Sequence, residues 1–294
     1  MDNLDGLCEN LRNYFATRSD IAMAFLFGSA AREEQTVDSD LDIAVYFYPK
    51  TKALEWEEET EFPSTDEVWG DIDSITSSNT DLVVLNRAPA TLAYAVLNES
   101  RSIIIKDTAL YWRFFLTISS AAEDFRQFAR EYWEIKHRSR SLSDVDRDRL
   151  LRIVDFLRNE LADVETFTNL SREVYLRDSN IRRNVERWVE NIVNASIDIG
   201  KVLLASSEAR IPQTYREILS NLNGLSEFDP AVAEKLAGFS KLRNILAYEY
   251  MDIRWTRISA FVQEALPGYE YLATYTEKLL SAGGEQIYQI KPTP

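Results

Sequence analysis

Apolar residues recur along this chain in two rhythms. Leu4, Leu7, Leu11, Tyr14 and Phe15 fall at helical spacing within residues 3–18, one stripe of an amphipathic helix. Ile21–Phe27 is an unbroken apolar run, the pattern of a buried strand, and Ser29 follows where a hydroxyl could cap a short helix. Leu41–Tyr48 predicts a second strand, with Ile43 and Val45 on the face opposite its acidic positions. Residues 50–79 are polar, acidic and irregular, which predicts a helix plus a loop. Leu82–Leu85 reads as a third strand introduced by Asp81, Ala90–Leu97 as a helix, and Ser102–Ile105 as a fourth strand.

From about residue 108 the rhythm becomes helical throughout. Residues 111–136 predict a long amphipathic helix that packs on the first domain. A basic, serine-rich break at 137–143 (HRSRSLS) is the candidate linker. Beyond it, Leu151, Val154, Leu157, Leu161 and Val164 share one helix face. Further helices are expected over 181–205, from Pro212, over 231–248, and over 253–280 with a kink at Pro267. The expected fold class is α+β. A small mixed-sheet domain spans residues 1–140, including the helix 111–136, and an all-α antiparallel bundle spans 141–294.

Composition narrows the function. No apolar run reaches the length of a membrane span, and the acidic, amphipathic start MDNLDGLCENLRNYF is unlike a signal or transit peptide. A single Cys8 excludes a disulfide framework and a cysteine-based zinc site. Cytoplasmic residence is the expectation, with no membrane partner. The net charge of −15 is unevenly spread: residues 1–110 hold 21 Asp and Glu against 8 Lys and Arg, the remainder 27 against 25. So acidic a first part repels polynucleotides but tolerates a triphosphate neutralised by Mg²⁺. Its cluster Glu55–Glu61 reads equally as a solvated loop or as one with a role.

The chemistry-bearing residues lie in GSAARE, SDLDI and TDLVVL. Asp40 and Asp42 are two apart, so on an extended chain both project from one face, where like charges call for a cation. Mg²⁺ suits such a pair, since it takes one or two carboxylates plus substrate phosphates. Gly28 allows close backbone approach and Ser29 can donate to a phosphate oxygen. Asp81 is placed as a third carboxylate, either a ligand or the base for a nucleophile. A lone Asp-x-Asp is common in solvated loops. This one comes eleven residues after Gly-Ser, follows a strand and precedes a strand-leading Asp, which favours a nucleotidyl-transfer site.

The pattern resembles the nucleotidyltransferases of the polymerase-beta superfamily, in particular the minimal (MNT) group, over about residues 10–110. Their signature is GSxARG, then SDxDL, then a later Asp; here Glu33 stands where the family usually has Gly. The resemblance implies ATP as substrate and Mg²⁺ as cofactor. It also implies Asp40 and Asp42 as metal ligands, Asp81 completing the catalytic triad, and Gly28, Ser29 and Arg32 holding the nucleotide.

A second segment, KLRNILAYEYMDI, is similar to the HepT-like branch of the HEPN family over about residues 145–265. The family motif is Arg-Asn, three residues, His, one residue, Tyr. Arg243, Asn244 and Tyr250 match, and Tyr248 stands where the histidine belongs. A phenol of pKa ~10 cannot exchange protons near neutrality as an imidazole does, so ribonuclease activity is expected to be weak or absent. His137, the one histidine, lies in the expected linker. In such toxin–antitoxin systems the nucleotidyltransferase places AMP on the toxin's tyrosine. The resemblance therefore implies Tyr250 as acceptor of AMP, in cis or in trans, Tyr248 as a decoy or second acceptor, a homodimer through the helical domain, and RNA as a partner of that domain. Bland readings stand beside these: Tyr250 as a core or interface tyrosine bonded to Arg243 or Asn244, and Arg243 as the partner of Glu249 or Asp252. Two other functions compete, an inactive fusion with a regulatory or structural role and an aminoglycoside-type nucleotidyltransferase.

Overall fold

The computed structural model describes residues 2–32, 40–138, 141–207, 209–248 and 251–281, and the side chains of all of these except 2, 3, 248 and 251–253. It divides into two compact units, Met1–Arg126 and Gln127–Pro294. The division falls inside a long helix, not at the basic, serine-rich stretch after it.

The first unit runs α1 (Asp2–Thr17), β1 (Ile21–Phe27), α2 (Gly28–Ala31), β2 (Leu41–Phe47), α3 (Thr65–Thr76), β3 (Thr80–Val84), α4 (Ala90–Glu99), β4 (Arg101–Ile105) and the first part of α5 (Thr108–Arg138). The sheet order is β3-β2-β1-β4. β1 is antiparallel to both β2 and β4, and β2 is parallel to β3, a mixed sheet as expected. Alternation sorts the two faces. Leu41, Ile43, Val45 and Phe47 of β2 join Leu11 and Phe15 of α1 and Val68 and Ile72 of α3 in one buried cluster. On the other face Tyr46 meets Phe114 of α5 with ring centres 4.3 Å apart, and Phe25 approaches Tyr111 at 6.2 Å.

Two side chains finish the sheet where the backbone cannot. Asn86, fully buried beyond the end of β3, accepts from the Phe47 amide at 2.8 Å and donates to the Phe47 carbonyl at 3.1 Å. It also donates to Glu55 at 3.1 Å, so this member of the acidic cluster is a structural partner. Glu57 is another, accepting from the Ala90 amide at the start of α4 (3.3 Å). At the opposite end of β3, the outward carbonyl of Thr80 on this edge strand accepts from the Trp69 indole N–H at 2.8 Å.

The second unit contains the last part of α5, then α6 (Asp144–Ala162), α7 (Glu165–Thr168), α8 (Arg172–Arg177), α9 (Ser179–Ser206), α10 (Tyr215–Ser220), α11 (Pro230–Phe239), α12 (Leu242–Tyr248), α13 (Met251–Glu264) and α14 (Leu266–Ser281). The long α9, largely buried from Ile192 to Ser206, is its axis, with α6, α10, α12 and α14 packed on it. Gly200 brings α10 close, since a Cβ there would lie 2.8 Å from Ile218 Cγ2. Arg158 binds α6 to α14 through Glu277 (2.9 and 2.8 Å) and Thr274 (2.8 Å). The buried Lys201 ammonium bonds Glu131 (2.6 Å) and Asp198 (2.7 Å) and lies 5.0 Å from the Phe128 ring centre.

Several expected boundaries differ. The expected helix 231–248 is two, α11 and α12, with the chain turning at Ser240 and Lys241 between them. The break at Pro267 is complete: Pro lacks the amide a continuous helix needs, so α13 ends and α14 begins across Ala265. α7 and α8 were not foreseen. His137 lies in the last turn of α5, not in a linker, with Nδ1 2.8 Å from the Trp133 carbonyl oxygen. Basic residues there suit the helix C-terminus.

Replacing Asn86 with Ala leaves the buried Phe47 amide and carbonyl unpaired. The expected loss is about 2–3 kcal/mol in urea unfolding.

Candidate active site

The site grows from the end of β1 and the starts of β2 and β3, which the antiparallel and parallel pairings bring to one end of the sheet. Phe27 is paired with Asp42, and Asp42 with Asp81. In-register neighbours point to the same face, so the Asp42 and Asp81 carboxylates stand side by side on the face that carries Tyr46. Asp40 precedes the first residue of β2.

The charges feel one another. Burial pushes the Asp42 carboxyl above its usual range, Asp81 and then Asp40 push it the same way, and Arg32 pulls it down. The three carboxylates and Arg32 thus share one electrostatic neighbourhood. Arg32 also reaches Glu99 at the end of α4, Nη1 to Oε2 at 3.7 Å.

Gly28 is demanded twice over. Its φ of +69° lies in the left-handed region, and a Cβ there would sit 1.9 Å from Asp42 Oδ2. The carboxylate occupies the space that a side chain would fill. Ser29 does not cap the following helix: α2 starts at Gly28 with Phe27 in the capping place and no side-chain cap, so Ser29 falls inside the turn. Asp81 is the second residue of β3, because that strand begins at Thr80 and not after the aspartate. Glu33 lies outside the described residues.

Among the described residues, no three or more His, Cys, Asp or Glu side chains close around one point as ligands of a single ion. The donor set nevertheless fits Mg²⁺. Asp42 and Asp81 stand opposite one another in register, Asp42 resists ionising beside Asp81 and Asp40, and Mg²⁺ binds through one or two carboxylates completed by phosphate oxygens.

In the second unit the motif residues begin α12. Arg243 sets its guanidinium 4.4 Å from the Tyr215 ring centre, and Asn244 is buried. The Tyr248 side chain, Glu249, Tyr250 and the Asp252 side chain lie outside the described residues, so the pairings expected of them do as well. Trp69, whose indole N–H bonds the carbonyl of Thr80, was missed by sequence reasoning. The available signal was a tryptophan one residue from the buried stripe of an acidic helix.

With its folded pKa raised, ionised Asp42 disfavours the fold, and stability falls as pH rises through that pKa. Asp42→Asn is therefore expected to melt above the unaltered protein at pH 7, the gap closing below about pH 4. Mg²⁺ and ATP together should raise the melting temperature of the unaltered protein but not of Asp42→Asn or Gly28→Ala.

Comparison with known proteins follows the same division. Residues 9–109 match the family model described as polymerase beta, nucleotidyltransferase, and residues 157–276 that of the HepT-like ribonucleases. A "tRNA nuclease HepT" of Aphanizomenon flos-aquae (strain 2012/KM1/D3) is 29% identical over 109 residues, 37% of this chain and 74% of that protein. A solved structure described as a toxin-antitoxin with AMP-PNP aligns with a TM-score of 0.33 at 21% identity, covering 42% of this chain and 90% of the other. The chain thus joins a nucleotidyltransferase domain of the polymerase-beta family to a HepT-like HEPN domain.

Proposed function

We propose that the first unit transfers AMP from ATP to a tyrosine of the HEPN unit, Tyr250 foremost and Tyr248 second, within one chain or between two. The observation that carries this reading is the pairing of Asp42 with Asp81 on neighbouring strands, with the Asp42 carboxylate against Gly28, in a chain that also bears the RNILAYEY segment. Bound Mg²⁺ supplies positive charge to the triphosphate and to the carboxylates Asp40, Asp42 and Asp81. The turn at Gly28 and Ser29, together with Arg32, holds the phosphates. The phenolic oxygen of the acceptor bonds to the α-phosphorus, and the bond from that phosphorus to its bridging oxygen breaks. Pyrophosphate leaves, and Asp81 takes the phenolic proton.

The HEPN unit is the partner and target. Arg243 and Asn244 are retained there, while Tyr248 replaces the group that would exchange protons near neutrality, which supports a ribonuclease site without effective acid–base chemistry. The relative named as a tRNA nuclease makes transfer RNA the RNA to test against this unit. A homodimer through the HEPN unit and residence in the ATP-containing cytoplasm complete the reading. Among the described residues, no helix is long and apolar enough to cross a membrane.

Intact mass measured as isolated and after incubation with ATP and Mg²⁺ tests the transfer. One or more AMP units are expected on the unaltered chain in one of these states, and none on Asp40→Ala/Asp42→Ala. An unmodified mass in both states rejects the reading. Tyr248→His, introduced into the Asp40→Ala/Asp42→Ala background, is expected to gain cleavage of transfer RNA that the parent lacks.

A further inference from the structure

A cleft of about 250 Å³ opens between α6 and α9, wholly within the second unit. We infer that it binds an adenine nucleotide, with the base on Phe156 and Asn194 and the phosphate on Arg152. The site is separate from the carboxylates of the first unit, and the inference stands whether or not they transfer AMP.

The packing of the two helices orders the cleft. At one end Asn191 of α9 donates to Glu160 of α6 at 2.9 Å. At the other, Arg149 of α6 and Lys201 of α9 share one oxygen of Glu131, at 3.0 and 2.6 Å. α6 and α9 are therefore antiparallel, and the lining falls on one stripe of each, between Arg149 and Phe156 and between Asn191 and Asp198. Ile153 and Ala195 give the middle an apolar floor. The volume is below that of clefts that enclose drug-sized ligands, so it admits one ring with its charged group at the rim.

What the cleft presents is unspent. Arg149 is committed to Glu131, Asp198 to the buried Lys201 at 2.7 Å, and the Asn191 amide nitrogen to Glu160. Among the described residues, the Arg152 guanidinium has no ion pair or hydrogen bond, and the Asn194 amide has no hydrogen bond. Phe156 keeps 43% of its surface exposed, with no aromatic ring against it.

A nucleotide answers all three groups. A bare phenyl face stacks a base. An asparagine amide offers a donor and an acceptor side by side, the complement of adenine N6 and N7. A free guanidinium forks onto a phosphate. Fixing Arg149 and Asp198 in their own pairs keeps that end of the cleft rigid and leaves Arg152 as the anion contact.

Equilibrium dialysis of the full chain with radiolabelled AMP tests the site. EDTA and the Asp40→Ala/Asp42→Ala background silence the metal-dependent site of the first unit. Phe156→Ala and Arg152→Ala are each expected to weaken AMP binding about tenfold. Phe156→Tyr, which keeps the ring, should stay within about twofold of the parent. Asn194→Ala is expected to remove a preference for AMP over UMP. These positions are exposed or half-buried, so an unchanged melting temperature accompanies each loss. A short oligoadenylate that displaces AMP shows a site that takes its nucleotide from RNA, and one that fails to displace it shows a site for the free nucleotide. Three results overturn the inference: no AMP bound, AMP binding indifferent to both alanine variants, or inorganic phosphate displacing AMP at equal concentration.

Discussion

The pairing of β2 with β3 constrains the first unit more than any other contact. Because the two strands run parallel with Asp42 opposite Asp81, two carboxylates lie on one face at adjacent positions. A slip of one residue would turn either strand over, burying an aspartate among Val45, Ile43 and the α1 and α3 side chains. The apolar set on that face therefore enforces the crowding on the other. The turn leaving β1 accommodates it only as glycine, since the Asp42 carboxylate fills the volume of a Cβ. Core packing and site chemistry are one constraint seen from two sides of the sheet.

That arrangement opposes stability in the absence of a cation. Burial and two like charges all disfavour ionised Asp42, and only Arg32 offsets them. The surrounding fold absorbs the strain through neutral and paired contacts placed away from the site. Asn86 completes β2 where β3 has ended, and Trp69 caps the outward carbonyl of β3. The second unit uses charge differently. Burial works to raise the Glu131 pKa, but hydrogen bonds from Lys201 and Arg149 outweigh it and hold the carboxyl below its ordinary range. In the first unit the site carboxylates face one another; in the second Glu131 is held by two cations.

Much of this was legible in the sequence because strand periodicity is short-ranged. Ile21–Phe27 and the Asp-x-Asp strand announce themselves by composition, and two-residue spacing alone puts Asp40 and Asp42 on one side. The register between Asp42 and Asp81 was not legible, since it depends on which strands are neighbours and on long-range packing. Helix ends were misread where the chain turns without a break in apolar spacing: α11 ends at Phe239 and α12 begins at Leu242 within one such segment. His137 was assigned to a linker by its serine-rich company, yet helix α5 carries it with its ring against the Trp133 carbonyl. Asn86 gave no signal of its own, because its work is done for backbone groups distant in sequence.

The two units have different electrostatic relations to nucleic acid, and the proposed transfer connects them. The acidic first unit repels a polyanion, so any RNA must be met by the second, whose overall charge is close to neutral but whose motif segment is locally basic. AMP esterified to Tyr250 would add a negatively charged phosphodiester to a sequence segment that also holds Lys241, Arg243, Arg254 and Arg257. That added charge would oppose the approach of RNA phosphates to the same segment. Modification would act on binding through charge, without needing a histidine to block. On the proposed reading the replacement of that histidine by Tyr248 would not make the nucleotidyltransferase site idle: if a domain that no longer cleaves were to bind RNA, the transferred AMP would be chemically able to oppose that binding.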